Sequence, residues 1–338
     1  MPARQHKNIP IFIPHMGCPH RCVFCDQCAI SGQSGFDIAE AREQIEAALA
    51  TLAPDTRAEI AYFGGSFTAI DRRLMIDLLD LAQDYVDAGR VSGIRFSTRP
   101  DAVGEDVLDV LSHYTVAAVE LGLQSMDDEV LRACRRGHTA DEARAACRRI
   151  VARGYSLVGQ MMLGLPSSNA DKEMATAREI CDLGATAVRV YPAVVFDGTA
   201  LGEMLKSGQY TPLSDAEAAE RCAPILALLE ERGVQRLRVG LCASETLSSS
   251  RVLGGANHSA LGEMCYSTLF RRRMSELLDG QACDGRVAEF SVSQGKTSQA
   301  IGQKRQNVRE LSARYGLAAL RIREDDALVG TQVRLTLI

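Results

Sequence analysis

The chain predicts an α/β fold built on a parallel sheet, followed by a C-terminal α+β extension. Six times between residues 9 and 191, a short apolar strand gives way to a helical period or closes the series. Glycines, cysteines and polar residues gather where those strands end, and in parallel β/α folds the chemistry sits at the C-terminal strand ends. Beyond residue 205 the pattern changes to long helices and short strands, so two units are expected, 1–205 and 206–338.

Taken in order, Ile9–Pro14 reads as the first strand. Ile38, Ala41, Ile45, Ala48, Leu49 and Leu52 then repeat at helical spacing. Ile60–Phe63 leads to a helix over Arg72–Val86, and Gly93–Ser97 to one near Glu105–Ser112. Val116–Leu121 is followed by Asp127–Cys134 and the longer Ala140–Arg153, and Ser156–Leu163 by Asp171–Leu183. Ala187–Tyr191 is the sixth strand. In the extension, Asp215–Arg232 reads as an amphipathic helix and Leu237–Gly240 as a short strand. Gly254-Gly255-Ala256-Asn257-His258 reads as a loop over the pocket, with His258 a candidate proton donor or a surface residue. A helix over Leu261–Leu278 and one over Lys304–Tyr315 accompany strands at Ala288–Val292, Leu317–Arg323 and Thr331–Leu337.

Composition narrows the class. The 338 residues carry net charge −5, no Trp and 11 cysteines. No apolar run approaches the ~20 residues that span a bilayer, and the N-terminus lacks a signal-peptide pattern, so no membrane partner is expected. Cysteines scattered singly, such as Cys134, Cys147, Cys181 and Cys222, read as small buried hydrophobes in a reducing, cytoplasmic protein. The acidic balance gives no global basic field for nucleic acid. The clusters Arg135-Arg136, Arg148-Arg149 and Arg271-Arg272-Arg273 read as solvated helix faces.

The loop leaving the first strand carries Cys18, Cys22 and Cys25 at C-x3-C-x2-C, with Phe24 directly before the third. A [4Fe–4S] cubane normally takes four thiolates. A set of three leaves one iron open, and an open coordination position is where a metal centre reacts. Cys28 adds a second C-x2-C step of ferredoxin type, but the following Cys-Pro is missing. A zinc knuckle would need a second ligand pair, for which His15 and His20 are the candidates. The spacing resembles that of the radical S-adenosylmethionine (SAM) superfamily. That resemblance implies a partial (β/α)6 TIM-like barrel, a [4Fe–4S] cluster on Cys18, Cys22 and Cys25, and SAM on the open iron. Cys28 is then a bystander.

The other strand ends extend the resemblance. Gly64-Gly65-Ser66 follows the second strand, where glycines allow close backbone approach. Ser97 closes the third strand before Arg99-Pro100-Asp101. Glu120 and Gln124 end the fourth strand, Arg136 and His138 flank a glycine turn, and Gln160 lies in the fifth. Buried polar groups need partners, so these residues suggest a ligand. Gly164-Leu165-Pro166 resembles the segment that packs on adenine in radical-SAM enzymes, and Arg189 on the sixth strand points into the barrel or an ion pair.

Together, Glu120-Leu-Gly-Leu-Gln-Ser, Arg136-Gly-His-Thr, Gly164-Leu-Pro and Arg189-Val-Tyr-Pro resemble the elongator protein 3 branch over residues 9–205. That branch modifies the wobble uridine of tRNA with an acetyl-derived group, which implies tRNA as a partner. The coproporphyrinogen oxidase branch shares these stations, and implies Gln124, Arg136 and Gln160 beside the ribose and carboxylate of SAM. Ser97 stands where that branch often has Glu. The superfamily resemblance gives Gly64, Gly65 and Ser66 to the methionyl end of SAM, with Phe24 beside the cluster. It also implies a low-potential flavodoxin or ferredoxin as electron donor, and a 5′-deoxyadenosyl radical that removes a substrate hydrogen. No Gly-rich pyrophosphate loop opens a helix in the extension, so acetyl-CoA use is not expected. A radical-SAM enzyme of a small porphyrin-like molecule and a non-catalytic iron–sulfur trafficking protein are the competing readings.

Overall fold

A computed structural model describes residues 6–13, 18, 22–25, 36–53, 56–241 and 251–338. Strands β1 (His6–Phe12), β2 (Arg57–Phe63), β3 (Ile94–Thr98), β4 (Val116–Gln124), β5 (Ser156–Leu163) and β6 (Ala187–Pro192) lie side by side in that order, all parallel. β7 (Val194–Phe196) turns out of the sheet and β8 (Gln235–Val239) joins it beside β6, giving a seven-stranded curled half-barrel. β9 (Val252–Gly255) pairs antiparallel with β7.

Helices α1 (Ile38–Ala50), α2 (Arg72–Asp87), α3 (Glu105–Leu111), α4 (Asp128–Ala133), α5 (Ala140–Ala152) and α6 (Ala170–Asp182) fill the crossovers. α7 (Ala200–Lys206) follows β7, and α8 (Asp215–Glu231) leads into β8. Their starts are set by side chains that accept from free N–H groups of the first turn: Asp37, Asp71, Asp127, Thr139, Asn169, Thr199 and Ser214. Thr139 with Glu142, and Ser214 with Glu217, close reciprocal capping boxes.

Strand side chains alternate between two faces. Ile60, Phe96, Val119, Leu157 and Val188 are fully buried against the helices, each burial contributing about 1.5–3 kcal/mol. The alternate residues line the concave face. Ala118, Val158, Ala187 and Leu237 pack together there. Charged and polar residues form a second set on that face: Glu59, Arg95, Glu120, Gln160 and Arg189.

The extension folds around a second core. α9 (Leu261–Leu278), α10 (Thr297–Ile301) and α11 (Gln306–Tyr315) cover a three-stranded sheet in the order β11 (Ala319–Glu324), β10 (Val287–Val292), β12 (Val333–Leu337). α9 joins the two cores: Leu261, Cys265 and Leu269 belong to the barrel core, Phe270, Met274 and Leu278 to the second. The triple arginine on this helix is not a freely solvated face. Arg271 pairs with Glu220 and Glu310, Arg272 with Glu220, and Arg273 with Glu230, which ties α9 to α8 and α11.

Two differences from the sequence reading bear on the half-barrel. The half-barrel has a seventh strand, drawn from beyond residue 205. The short strand read at Leu237–Gly240 is this one, and arginine on both faces hides its place in the barrel: Arg236 stacks over Tyr266 at 5.9 Å on one side, while Arg238, past a register shift, pairs with Arg189 on the other. Gly254-Gly255 is part of strand β9 rather than a loop. At Gly255 (φ +100) a Cβ would lie 2.5 Å from the Ala193 carbonyl, so glycine is required for the two strands to meet. Among the described residues no helix is long and apolar enough to cross a membrane.

Candidate active site

The cysteine turn is anchored from three sides. At the end of β1, Ile13 donates its N–H to the Phe63 carbonyl at 2.8 Å, holding the exits of β1 and β2 together. Gly64 follows at φ +111, where a Cβ would stand 2.4 Å from the Ile13 carbonyl oxygen. Cys22 to Cys25 form a tight turn closed by Cys25 N–H to Cys22 O at 3.1 Å. Val23 donates to Cys134 O at 3.1 Å and accepts from Leu201 N–H at 2.8 Å, which pins the turn between the ends of α4 and α7. Phe24 packs against the apolar cluster of Val23, Val130, Leu165 and Leu201. Cys22 is buried, and Cys18 and Cys25 are half-buried. The three thiols do not converge as a closed metal-ligand group among the described residues. Cys28, His15 and His20 lie outside the described residues.

Two buried guanidinium groups meet these sulfurs. Arg99 Nη1 lies 3.8 Å from Cys18 Sγ and 3.9 Å from Cys22 Sγ, and Arg136 Nη1 lies 3.3 Å from Cys22 Sγ. Arg99 is fixed by a two-pronged pair with Asp101, at 2.9 and 3.0 Å, and donates to the Arg136 carbonyl. Burial opposes the charge on Asp101, but Arg99 outweighs it and holds the carboxyl below its ordinary range. Arg136 Nη2 donates to Gly122 O at 2.5 Å. His138, on the same turn, is buried; burial first, then Arg136 and Arg99, lower its pKa to about 4, so the ring is neutral at pH 7.

A polar ligand fits this corner. Among the described residues, Gln124 Oε1, Arg136 Nε and both ring nitrogens of His138 are buried without hydrogen-bond partners. Native interiors seldom leave such atoms unmet, and here they mix donors and acceptors. Gln124 also holds φ +65 at a bulge ending β4, a conformation uncommon for a residue with a Cβ. An amino acid–nucleoside such as SAM offers a carboxylate to the arginine and ribose hydroxyls to the amide. Buried Ser66 and the Gly64-Gly65 backbone stand on the neighbouring loop. Thr68 bonds Thr98 at 2.5 Å and the Ala102 carbonyl at 2.6 Å, which locks this loop to the end of β3.

Deeper in the half-barrel runs a ladder of alternating charge. Glu59 pairs with His6 at 3.1 Å and Arg95 at 2.8 Å, and Arg95 reaches Glu120 at 3.0 Å. Arg189 grips Glu120 with two bonds of 2.7 and 3.1 Å. Gln160 donates to Glu120 at 3.1 Å and to Ser97 at 3.2 Å. Gln160 and Ser97 therefore belong with this ladder, whereas Gln124, Arg136 and His138 carry the unmet atoms beside the cysteine turn. Gly164, Leu165 and Pro166 are set by buried Glu173, which accepts from Gly164 N–H at 2.7 Å, and by the Tyr210 hydroxyl, which donates to Gly164 O at 2.5 Å. Burial holds the Glu173 carboxyl above its usual range, with Gly164 and Arg221 pulling the other way.

Arg99 and Asp101 are members of this site that the sequence reading placed at the end of the third strand without giving either a role; an arginine at a strand end, two residues before an aspartate, was the available signal. His258 is exposed and far simpler in role. Its Nδ1 accepts from Ala260 N–H at 3.0 Å and its carbonyl accepts from Leu261 N–H, which starts α9. Cys134, Cys147 and Cys222 are buried, whereas Cys181 is only partly so.

Comparison with known proteins follows this geometry. Residues 12–180 match the family model described as the radical SAM superfamily, and residues 185–271 match the radical SAM C-terminal domain. A tRNA uridine(34) acetyltransferase of Methanocaldococcus jannaschii is 28% identical over 234 residues, covering 63% of this chain and 42% of that protein. One from Dehalococcoides mccartyi is 26% identical over 259 residues, covering 65% and 56%. The chain thus spans about half the length of these relatives. Among solved structures, an N-terminally deleted archaeal Methanocaldococcus infernus Elp3 shares the fold with TM-score 0.65 and 22% identity, over 80% of this chain and 63% of that one. Streptococcus suis SuiB bound to S-adenosylmethionine has TM-score 0.51 and 10% identity, over 72% and 49%. With its cysteine turn on the first loop of a parallel half-barrel and its match from residue 12 to 180, the chain belongs to the radical SAM superfamily, among relatives of the elongator protein 3 branch.

Proposed function

We propose that this radical SAM enzyme acts on the wobble uridine of tRNA. The match of its half-barrel to tRNA uridine(34) acetyltransferases carries the reading. In it, Cys18, Cys22 and Cys25 hold a [4Fe–4S] cluster. Phe24, Gly64, Gly65, Ser66, Gln124 and Arg136 surround SAM, and Gln160 and Ser97 fix the ladder beneath it. All of these residues lie within 1–205.

When bound and reduced by a low-potential flavodoxin or ferredoxin, the cluster and SAM together supply a 5′-deoxyadenosyl radical that takes a hydrogen atom from the substrate. The chain's own residues bind, orient and exclude water. Arg136 presents a charged donor where Gln124 presents an acceptor, so the polar end and the ribose of a nucleoside are held in one orientation. His138 is neutral and offers one donor and one acceptor nitrogen. Val23, Phe24, Leu165 and Leu201 make an apolar wall beside the turn, which keeps water from the reacting centre. The Glu59–Arg95–Glu120–Arg189 ladder makes the floor rigid.

A small-molecule substrate is the second reading. The net charge of −5 and the engagement of Arg271, Arg272 and Arg273 in ion pairs favour it. The deciding experiment is anaerobic reconstitution of the cluster, followed by dithionite, SAM and a tRNA transcript with uridine at the wobble position. Faster 5′-deoxyadenosine formation with tRNA than without it is the expected result. A rate indifferent to tRNA in a cluster-loaded protein would sink the RNA reading.

A further inference from the structure

We infer that Arg238, together with the hydroxyl of Tyr191, binds one oxyanion of the substrate at the open edge of the half-barrel. This rests on the RNA reading for its preferred ligand, a phosphodiester beside the base to be modified. A substrate carboxylate offers the same chemistry.

The concave face carries a row of charges that is nearly balanced. Glu59 is matched by Arg95, and Glu120 by Arg95 and Arg189. β8 adds one more cation to this row, because Arg238 stands in register with Arg189. Among the described residues Arg238 forms no ion pair. Its hydrogen bond among the described residues runs from Nε to the Gly240 carbonyl at 3.3 Å, which leaves both Nη groups free. Gly240 lies just past the C-terminal end of β8, so the guanidinium is drawn toward the strand ends where the cysteine turn and the unmet polar atoms lie.

Tyr191 shares this edge. It is two residues beyond Arg189 on β6 and so on the same face. Burial holds its phenol above the ordinary value, while Arg189 and Arg238 pull against that. The hydroxyl stays protonated and can donate. A half-buried cation with free donors, next to a protonated phenol and with the nearby Glu120 already paired to Arg189 and Arg95, is complementary to a singly charged oxyanion. Arg189 is already committed, since Glu120 takes its Nε and Nη2 in a two-pronged pair. Arg236 lies across a register shift from Arg238, beside Val188, and so points to the opposite face and Tyr266.

The test uses cluster-reconstituted protein and Arg238→Gln, Arg238→Lys and Tyr191→Phe variants. Inorganic phosphate and sodium acetate are titrated separately at constant ionic strength, and thermal stabilisation relative to chloride is read. The expected result is a phosphate affinity at least about tenfold weaker in Arg238→Gln, the worth of one charged hydrogen bond. Arg238→Lys should retain part of it, and Tyr191→Phe should lose less. A stronger response to acetate would assign the site to a carboxylate. Identical titrations in wild type and Arg238→Gln would overturn the site outright; if Arg238→Gln does not fold, unchanged titrations in both Tyr191→Phe and Arg238→Lys do so.

A second readout uses an anticodon stem-loop RNA. Arg238→Gln should flatten the slope of log affinity against log salt by about 1, one phosphate contact. A wild type that binds no RNA but keeps the Arg238-dependent phosphate response would remove the RNA reading and leave the oxyanion site standing. RNA binding with an unchanged slope in Arg238→Gln would remove the phosphodiester from the site.

Discussion

Arg136 Nη1 lies 3.3 Å from the sulfur of Cys22 while its Nη2 holds the Gly122 carbonyl at 2.5 Å. The sequence resemblance places this arginine against SAM; the structure shows that one of its donors faces a thiol instead, leaving Nε for a ligand. Hydrogen bonds and positive charge at cluster sulfurs favour the reduced, more negative state. Arg136→Gln is therefore expected to keep its iron but shift the cluster potential to more negative values, with Arg136→Lys between the two. An EPR-monitored redox titration measures this. An unchanged potential would confine Arg136 to SAM binding.

Glu120 is fully buried and counterbalances Arg95 and Arg189. Removing one member of a buried ion network leaves uncompensated charge, at a typical cost of about 3–5 kcal/mol. Glu120→Gln keeps the shape and leaves Arg189 with no carboxylate, so a loss of about 3 kcal/mol or more is expected. Urea unfolding measures it. Glu120→Gln combined with Arg189→Met should recover part of the loss, because the orphaned cation is gone.

His138 makes the cluster-free protein sensitive to acid. Its pKa in the fold is about 4, below the ordinary 6.5, so between these values the unfolded chain binds more protons than the folded one. Its contribution is complete above pH 6.5 and is lost as pH falls toward 4. The 2.5-unit gap corresponds to about 3 kcal/mol. His138→Gln should show a shallower fall in urea midpoint between pH 7 and 4.5 than wild type. Parallel curves would mean that a proton is accommodated on the ring.

Much of this site is written in single residue types at single positions. Three cysteines at fixed spacing, a Gly-Gly after a strand and an amide ending an apolar strand need no tertiary context to stand out, and Cys22, Gly64, Gln124 and Arg136 all lie around one corner. Arg99 was hard to read because its role depends on the cysteine turn after β1 and the Arg136 turn after α4 both meeting the end of β3, a long-range fact that periodicity does not carry. Gln160 and Ser97 illustrate the converse. Their polarity was legible, but whether a buried amide meets a ligand or Glu120 depends on register across β3, β4 and β5. β8 was legible as a short strand at Leu237–Gly240 but not as a strand of the half-barrel, for a third reason: arginines on both faces erase the alternation that marks a half-buried strand.

Gly64 offers a test of how tightly the cysteine turn depends on the sheet beneath it. At φ +111 any side chain is strained, and a Cβ would also stand 2.4 Å from the Ile13 carbonyl and 2.9 Å from the Phe12 ring. The carbonyl belongs to the backbone leading into the cysteine loop, so it cannot yield without moving that loop. Gly89 provides the control: its φ is +68, but nothing lies within 4 Å of a Cβ there. Gly89→Ala should cost about 1 kcal/mol, the strain of the left-handed backbone alone. Gly64→Ala should cost more and should also lower the iron bound per chain after reconstitution, which Gly89→Ala should leave unchanged. Thermal unfolding and iron quantitation on both variants separate the two effects. Equal unfolding costs and equal iron would mean that the exit of β1 adjusts freely, and that the cysteine turn is held by Val23 and its contacts with α4 and α7 rather than by the junction of β1 and β2.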